Sequence, residues 1–214
     1  HPHYVTLEQD GCLIAACPLY LKEHSYGEYI FDWAWARAYQ EHGLAYYPKA
    51  LVAVPFTPVP GSRLLARDEA ARTALLRAVV AWCEEQSLSS LHLLFGSEAD
   101  MAACKSVGLM QRTTVQFHWK NLAPEVGRFR DFEHFLGALT QDKRKKIRQE
   151  QRRVRDAGVR FRWAHGSDIA AADWNFFYRC YERTYLEHGN PPYLSRAFFE
   201  RMARDMPGAW LLFI

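Results

Sequence analysis

No stretch of the 214 residues approaches the roughly 20 consecutive apolar residues that a bilayer-spanning helix needs, and the opening residues do not read as a signal peptide. The five cysteines (12, 17, 83, 104 and 180) fall into no zinc-binding spacing, so no metal site is expected. Their odd number and scatter fit free, buried thiols in a reducing cytoplasm, and the expected location is cytoplasmic. Cys12 and Cys17 lie five apart in one apolar strand, which sends their side chains to opposite faces. No Ser-His-Asp or Cys-His pattern supports nucleophilic catalysis, and no internal repeat is visible. What remains is an ordinary globular composition, 49% hydrophobic and 24% charged, unusual in being 14% aromatic.

Positive charge is concentrated in one place. From Lys143 to Arg155 there are eight Lys or Arg and a single acid, Glu150, a local charge of +7 against +3 for the whole chain. The remainder therefore carries −4. Strong helix formers run uninterrupted to Gly158, so the spacing predicts one long helix beginning near Asp131, with Phe132, Phe135, Leu136 and Leu139 on its apolar side. Only Ile147 and Val154 continue that stripe, so the basic half buries little. Lys143, Arg144, Lys145, Lys146, Arg148 and Arg152 are thus candidate ligands for a phosphate-bearing anion such as tRNA or a nucleotide-linked precursor, against the alternatives of a solvated connector or a membrane-surface helix. No leucine heptad follows, and DNA binding is not expected.

In chain order, Tyr4–Gln9 and Cys12–Leu21 read as strands joined by a tight Asp10-Gly11 turn. An aromatic-rich segment from Tyr26 to Lys49 follows, in which Asp32 is placed to cap a short helix stopped by Gly43. Ala50–Val54 reads as a strand, and Pro55 to Gly61 as a stiff loop. Next come a helix over Asp68–Gln86, a buried strand at Leu91–Phe95, a helix capped by Ser97 and a cleanly alternating strand at Thr113–Trp119. A linker with Pro124 and Gly127 leads into the basic helix. After Gly158 the pattern gives a strand from Val159, helices at Ala171–Glu187 and Ser195–Asp205, and a last strand broken off at Ile214, so the chain reads as a fragment. The expected division is 1–123, 124–158 and 159–214.

The stretches Y-G-E-Y-I-F-D-W (Tyr26–Trp33), A-V-P-F-T-P-V-P-G-S-R-L-L (Ala53–Leu65) and V-Q-F-H-W-K-N (Val115–Asn121), with the basic helix, resemble the FemAB-like N-acyltransferases, a group related to the GNAT superfamily. That resemblance, with the element order, implies an α+β fold of tandem GNAT-like units, each a mixed central sheet flanked by helices, the second truncated. It implies transfer of an acyl or aminoacyl group to an amine, with acyl-CoA or aminoacyl-tRNA as donor. The alternative is a non-catalytic module that binds an anionic ligand through 143–155. A GNAT phosphate loop is Gly-rich, whereas Val54–Asp68 has one glycine, Gly61, and three prolines that donate no N–H, which favours a FemA/FemB-type donor. Within this reading Asp32 is the candidate to orient or deprotonate the amine, or else simply a helix cap. Tyr46, Tyr47 and Lys49 are candidates to line the substrate cleft, and Arg63 to meet a phosphate or pair with Asp68 or Glu69. His118 reads as structural.

Overall fold

The structure is a computed structural model and describes residues 2–123 and 127–213. Pro124 of the expected linker and Ile214 of the last strand lie outside them. The chain folds as two compact units, His1–Val115 and Gln116–Ile214.

In the first unit, β1 (Pro2–Gln9) and β2 (Cys12–Lys22) form the expected antiparallel hairpin. Asp10 and Gly11 both take positive φ, as a type I′ turn requires. A bulge opposite Leu7 and Glu8 leaves Ile14 without a partner in the register. β2 also pairs with β3 (Lys49–Val52) through Tyr20–Lys22 and with the two-residue β4 (Leu65–Ala66) through Ala15 and Ala16. Pro18, which has no N–H to give, falls in the gap between those two partners. β5 (Leu91–Leu93) runs parallel to β3, which makes the sheet mixed.

Period-two alternation gives this sheet two different faces. Ala15, Cys17, Leu19, Ala50 and Val52 meet Leu75, Leu76, Val79 and Cys83 of α2 (Glu69–Glu85) and Ala103 and Cys104 of α3 (Glu98–Ser106) in the main core. Cys17, Cys83 and Cys104 are buried thiols, and burial pushes all three pKa values up. Cys12 and Cys180, against expectation, are exposed. The opposite face carries Tyr20, Lys22, Lys49, Leu51, Ala53 and His92, and it is covered by the 23–47 segment containing α1 (Trp33–Glu41).

The second unit holds α4 (Phe132–Gly137), α5 (Gln141–Asp156), β6 (Trp163–His165), α6 (Ala171–Glu187), α7 (Arg196–Asp205) and β7 (Leu211–Phe213), with β6 and β7 antiparallel. Its core joins Ala164, Ile169 and Leu212 to Trp174, Phe177 and Trp210. The single helix expected from Asp131 is two helices. The chain breaks at Ala138–Thr140, where the Arg144 guanidinium folds back onto the carbonyls of Gly137 (3.1 Å) and Leu139 (2.5 Å). Gly137 is the last residue of α4, so its carbonyl is an orphan acceptor that a cation satisfies.

Two expected strands are also absent or displaced. Thr113–Trp119 forms no strand: alternation makes one only where a neighbour takes up its backbone groups, and among the described residues none does. Phe117 is 99% exposed, and His118 is exposed with a hydrogen bond to Gln116. The strand expected from Val159 starts only at Trp163. No helix among the described residues is long and apolar enough to cross a membrane, and no group of three potential metal ligands occurs among them.

Candidate functional site

β3 is buried along all four residues, and its first residue is a lysine. Lys49 stands directly opposite Lys22 on β2, an arrangement that is unfavourable for a cross-strand pair unless acids intervene. They do. Glu28 and Asp32, one helical turn apart in sequence, come from the segment that follows β2 and close over the two lysines. Lys49 Nζ donates to Asp32 Oδ2 at 2.6 Å, to Ser25 Oγ at 2.8 Å and to Glu28 Oε2 at 2.9 Å. All three ammonium hydrogens are thereby used, and Lys49 is wholly buried. Lys22 Nζ lies 3.8 Å from Glu28 Oε1 and donates to the Tyr26 carbonyl at 2.8 Å; burial lowers its pKa.

The cluster continues across the sheet. Tyr46 Oη donates to Asp32 Oδ2 at 2.6 Å and sits 3.1 Å from His92 Nε2, which is itself 3.1 Å from Ser90 Oγ. With the single Tyr46 proton committed to Asp32, the 3.1 Å contact requires His92 Nε2 to carry the hydrogen. Burial, then the nearby Lys49, lowers the His92 pKa, so the ring is neutral at pH 7. Burial by itself would raise the Asp32 carboxyl, but the bonds from Lys49, Ser25 and Tyr46 outweigh it and hold Asp32 at about 2. Burial and the Asp32 bond push the Tyr46 phenol up. Tyr47 reaches the same cluster by its 2.9 Å contact with Ser25 Oγ. Two carboxylate oxygens, Glu28 Oε1 and Asp32 Oδ1, are buried without a hydrogen-bond partner.

The sequence-expected residues thus sort into three groups. Asp32, Tyr46, Tyr47 and Lys49 come together. Asp32 is at the N-cap position of α1, but its side chain makes no capping bond, so its carboxylate serves the cluster instead. Tyr46 and Tyr47 also line an open groove with Trp33, Arg37 and Leu44. Arg63 is elsewhere: it is buried, and its Nε and Nη2 donate to the carbonyls of Leu94 and Val59. Its backbone N–H binds Asp100 Oδ2 at 2.7 Å, and the same carboxylate closes the capping box of α3 with Ser97. In that 54–64 loop the Gly61 N–H is also spent, on the Phe95 carbonyl at 3.0 Å. Neither Asp68 nor Glu69 pairs with Arg63; Asp68 caps α2 and pairs with Arg67.

In the second unit, α5 buries none of its residues. Lys146 pairs with Glu150 (4.0 Å) and Arg148 with Glu133 (2.6 Å). Among the described residues no acid pairs with Lys143, Lys145 or Arg152. Lys145, Arg148, Arg152 and Arg155 recur at spacings of three, four and three, which sets them along one side of the helix. The residues that sequence reasoning missed are Lys22, Ser25, Glu28 and His92. The available signal was period two: Lys22 and His92 occupy the same sheet face as Lys49, in strands otherwise apolar.

The FemAB-like family, described as peptidoglycan biosynthesis/recognition, matches residues 1–214, the whole chain. The chain belongs to the FemAB-like family. A search of curated proteins and one of solved structures gave no match. The mixed α+β architecture agrees with the expected fold class.

Proposed function

We propose that this FemAB-like chain serves as an N-acyltransferase of tandem GNAT-like architecture, moving an acyl or aminoacyl group onto an amine of a cell-wall precursor. The observation that carries the reading is the buried Glu28–Lys49–Asp32 cluster, with the half-buried Lys22 at its edge. Burying three ionisable side chains costs several kcal/mol per ion before they pair, and charge clusters of this kind concentrate at functional sites. In the reaction a neutral amine adds to the donor carbonyl, the nitrogen–carbon bond forms, and the thiol or ribose hydroxyl of the donor leaves with the proton. Asp32, held at about 2, is too weak a base to draw a proton from an ammonium at neutral pH. Its part is to fix Lys49 and Tyr46, while Tyr47 packs beside them. Arg63 stiffens the 54–64 loop. Gly61, Arg63 and Leu64 of that loop give their N–H groups to Phe95 and Asp100, so these N–H groups are not free to cradle phosphates, whether the donor is acyl-CoA or aminoacyl-tRNA.

The unpaired basic side of α5 also favours a second reading, a non-catalytic module that binds tRNA or another polyanion. Transfer from radiolabelled acetyl-CoA and from bulk aminoacyl-tRNA to amine acceptors, measured at two salt concentrations, separates the two. Transfer from either donor establishes the enzyme. Salt-sensitive tRNA binding without transfer from either donor establishes the module.

A further inference from the structure

The two lysines of the charge cluster are placed differently. Lys49 spends its N–H groups on Ser25, Glu28 and Asp32 and is inaccessible. Lys22, directly opposite on β2, keeps 21% of its side chain accessible. Lys49 holds Glu28 Oε2 and Asp32 Oδ2, so the carboxylate atom facing Lys22 is Glu28 Oε1 at 3.8 Å, outside hydrogen-bond reach. The Lys22 ammonium donates instead to the Tyr26 carbonyl at 2.8 Å, in an exposed bond. Lys22 also lines a partly open cavity of about 180 Å³ whose walls include Tyr20, Leu51, Ala53, Phe56 and Leu94. The turn carrying Tyr26 and Glu28 forms part of that wall. Gly27 there has φ +81°, and a Cβ on it would fall 2.7 Å from the Phe56 ring, so only glycine lets the ring close this side.

A lysine in an apolar recess beside a second cation is in the setting that makes an amine nucleophilic toward carbonyl carbon. Burial lowers the Lys22 pKa, Glu28 opposes that, Lys49 adds to it, and the net direction is down. The volume lies below the roughly 300–1,000 Å³ of a drug-sized pocket, and the apolar lining suits a short hydrocarbon stem. We propose that Lys22 is a covalent carbonyl site, whose amine forms an imine with a short aliphatic aldehyde seated in this cavity. The ammonium first gives a proton to water, and the Nζ lone pair then adds to the carbonyl carbon. The carbinolamine takes up protons from solvent and loses its oxygen as water, leaving a protonated C=N bond. In sum, ammonium and aldehyde give iminium and one water with no change of charge, so the pairing with Glu28 does not oppose the product. This activity is separate from acyl transfer and does not depend on it.

Reductive alkylation tests it. The 214-residue chain is treated with butanal and sodium cyanoborohydride at pH 6.5, and the butylated lysines are mapped by mass spectrometry. An ordinary lysine, with a pKa of about 10.4, is almost wholly protonated there. We expect Lys22 to react about tenfold or more faster than each of the exposed Lys105, Lys120, Lys143, Lys145 and Lys146. Ethanal lacks two methylenes, each worth about fourfold when buried, so it should slow Lys22 about tenfold and leave the exposed lysines nearly unchanged. In urea the advantage of Lys22 should vanish. Ala53→Leu narrows the cavity without altering charge and should slow Lys22 about fivefold or more in a chain that keeps its thermal transition. Lys22 reacting no faster than the exposed lysines, or an advantage kept in full with ethanal or in urea, overturns the proposal. Unslowed labelling in folded Ala53→Leu would do so as well.

Discussion

Lys49 and its partners on one hand, and the basic side chains of α5 on the other, are two collections of charge built on opposite terms. The first is assembled from Lys22 on β2, Glu28 and Asp32 on the segment that follows it and Lys49 on β3, is buried except at Lys22, and is neutral as a set. The second is contiguous in sequence, lies on a helix with no buried residue, and is strongly positive. A buried charge is held in place by the loss of several kcal/mol on removing its partner, whereas an exposed pair contributes roughly 0–1 kcal/mol. The first collection is therefore part of the fold, and the second is available to something outside it.

The sharpest way to break this contrast is Lys49→Met. It leaves Glu28 and Asp32 facing one another in a buried site, and we expect about 3–5 kcal/mol of destabilisation in urea unfolding of the first unit. A loss under 1 kcal/mol would mean that water reaches the cluster and that it is no drier than α5.

Acid should reveal the same cluster in two steps. His92 has a lowered pKa, so the unfolded chain binds its proton first, and stability begins to fall as the pH drops below the ordinary imidazole value near 6.5. Asp32 is held below its ordinary 3.8, at about 2. Its contribution is complete above about 4 and is lost as the pH falls toward 2, an effect of about 2 kcal/mol. Urea melts from pH 7 to pH 2 should show both limbs, with His92→Gln removing the upper and Asp32→Asn the lower. A lower limb that survives Asp32→Asn would assign it to other carboxylates.

Much of the fold was legible because its signals are local. The Asp10-Gly11 turn, the Ser97 cap, and the limits of α2, α6 and α7 each depend on residues a few positions apart, and the structure keeps them. The Thr113–Trp119 alternation failed because a strand needs a partner that its own sequence does not specify. The break before α5 escaped notice because Arg144 read as one more basic residue, when its guanidinium is spent on the carbonyls of Gly137 and Leu139. The site behaved likewise. Asp32, Tyr46, Tyr47 and Lys49 stood out from an aromatic-rich segment, but Lys22 and His92 join them through the pairing of β2 and β5 with β3; period two gives the face within each strand, and no local pattern gives the pairing. A run of like charge is easy to see in a sequence, while a neutral cluster assembled from four segments has no compositional trace.

The smallest effect on stability is expected where the sequence is most conspicuous. Lys145 and Arg152 lie on the same side of α5, and among the described residues neither has an acidic partner, unlike Arg148, which pairs with Glu133. Changing both to Glu should therefore alter unfolding by no more than about 0.5 kcal/mol, the usual range for exposed positions. The effect on a polyanion should be large by comparison. Each lost phosphate contact removes roughly 0.7–0.9 from the slope of log K against log salt, so the pair should reduce the slope for tRNA by about 1.5 and weaken binding most at low salt. An unchanged slope would make α5 a solvated face with no anionic ligand. A large loss of stability would instead show that α5 carries packing its exposure does not reveal, which would erase the contrast with the Lys49 cluster.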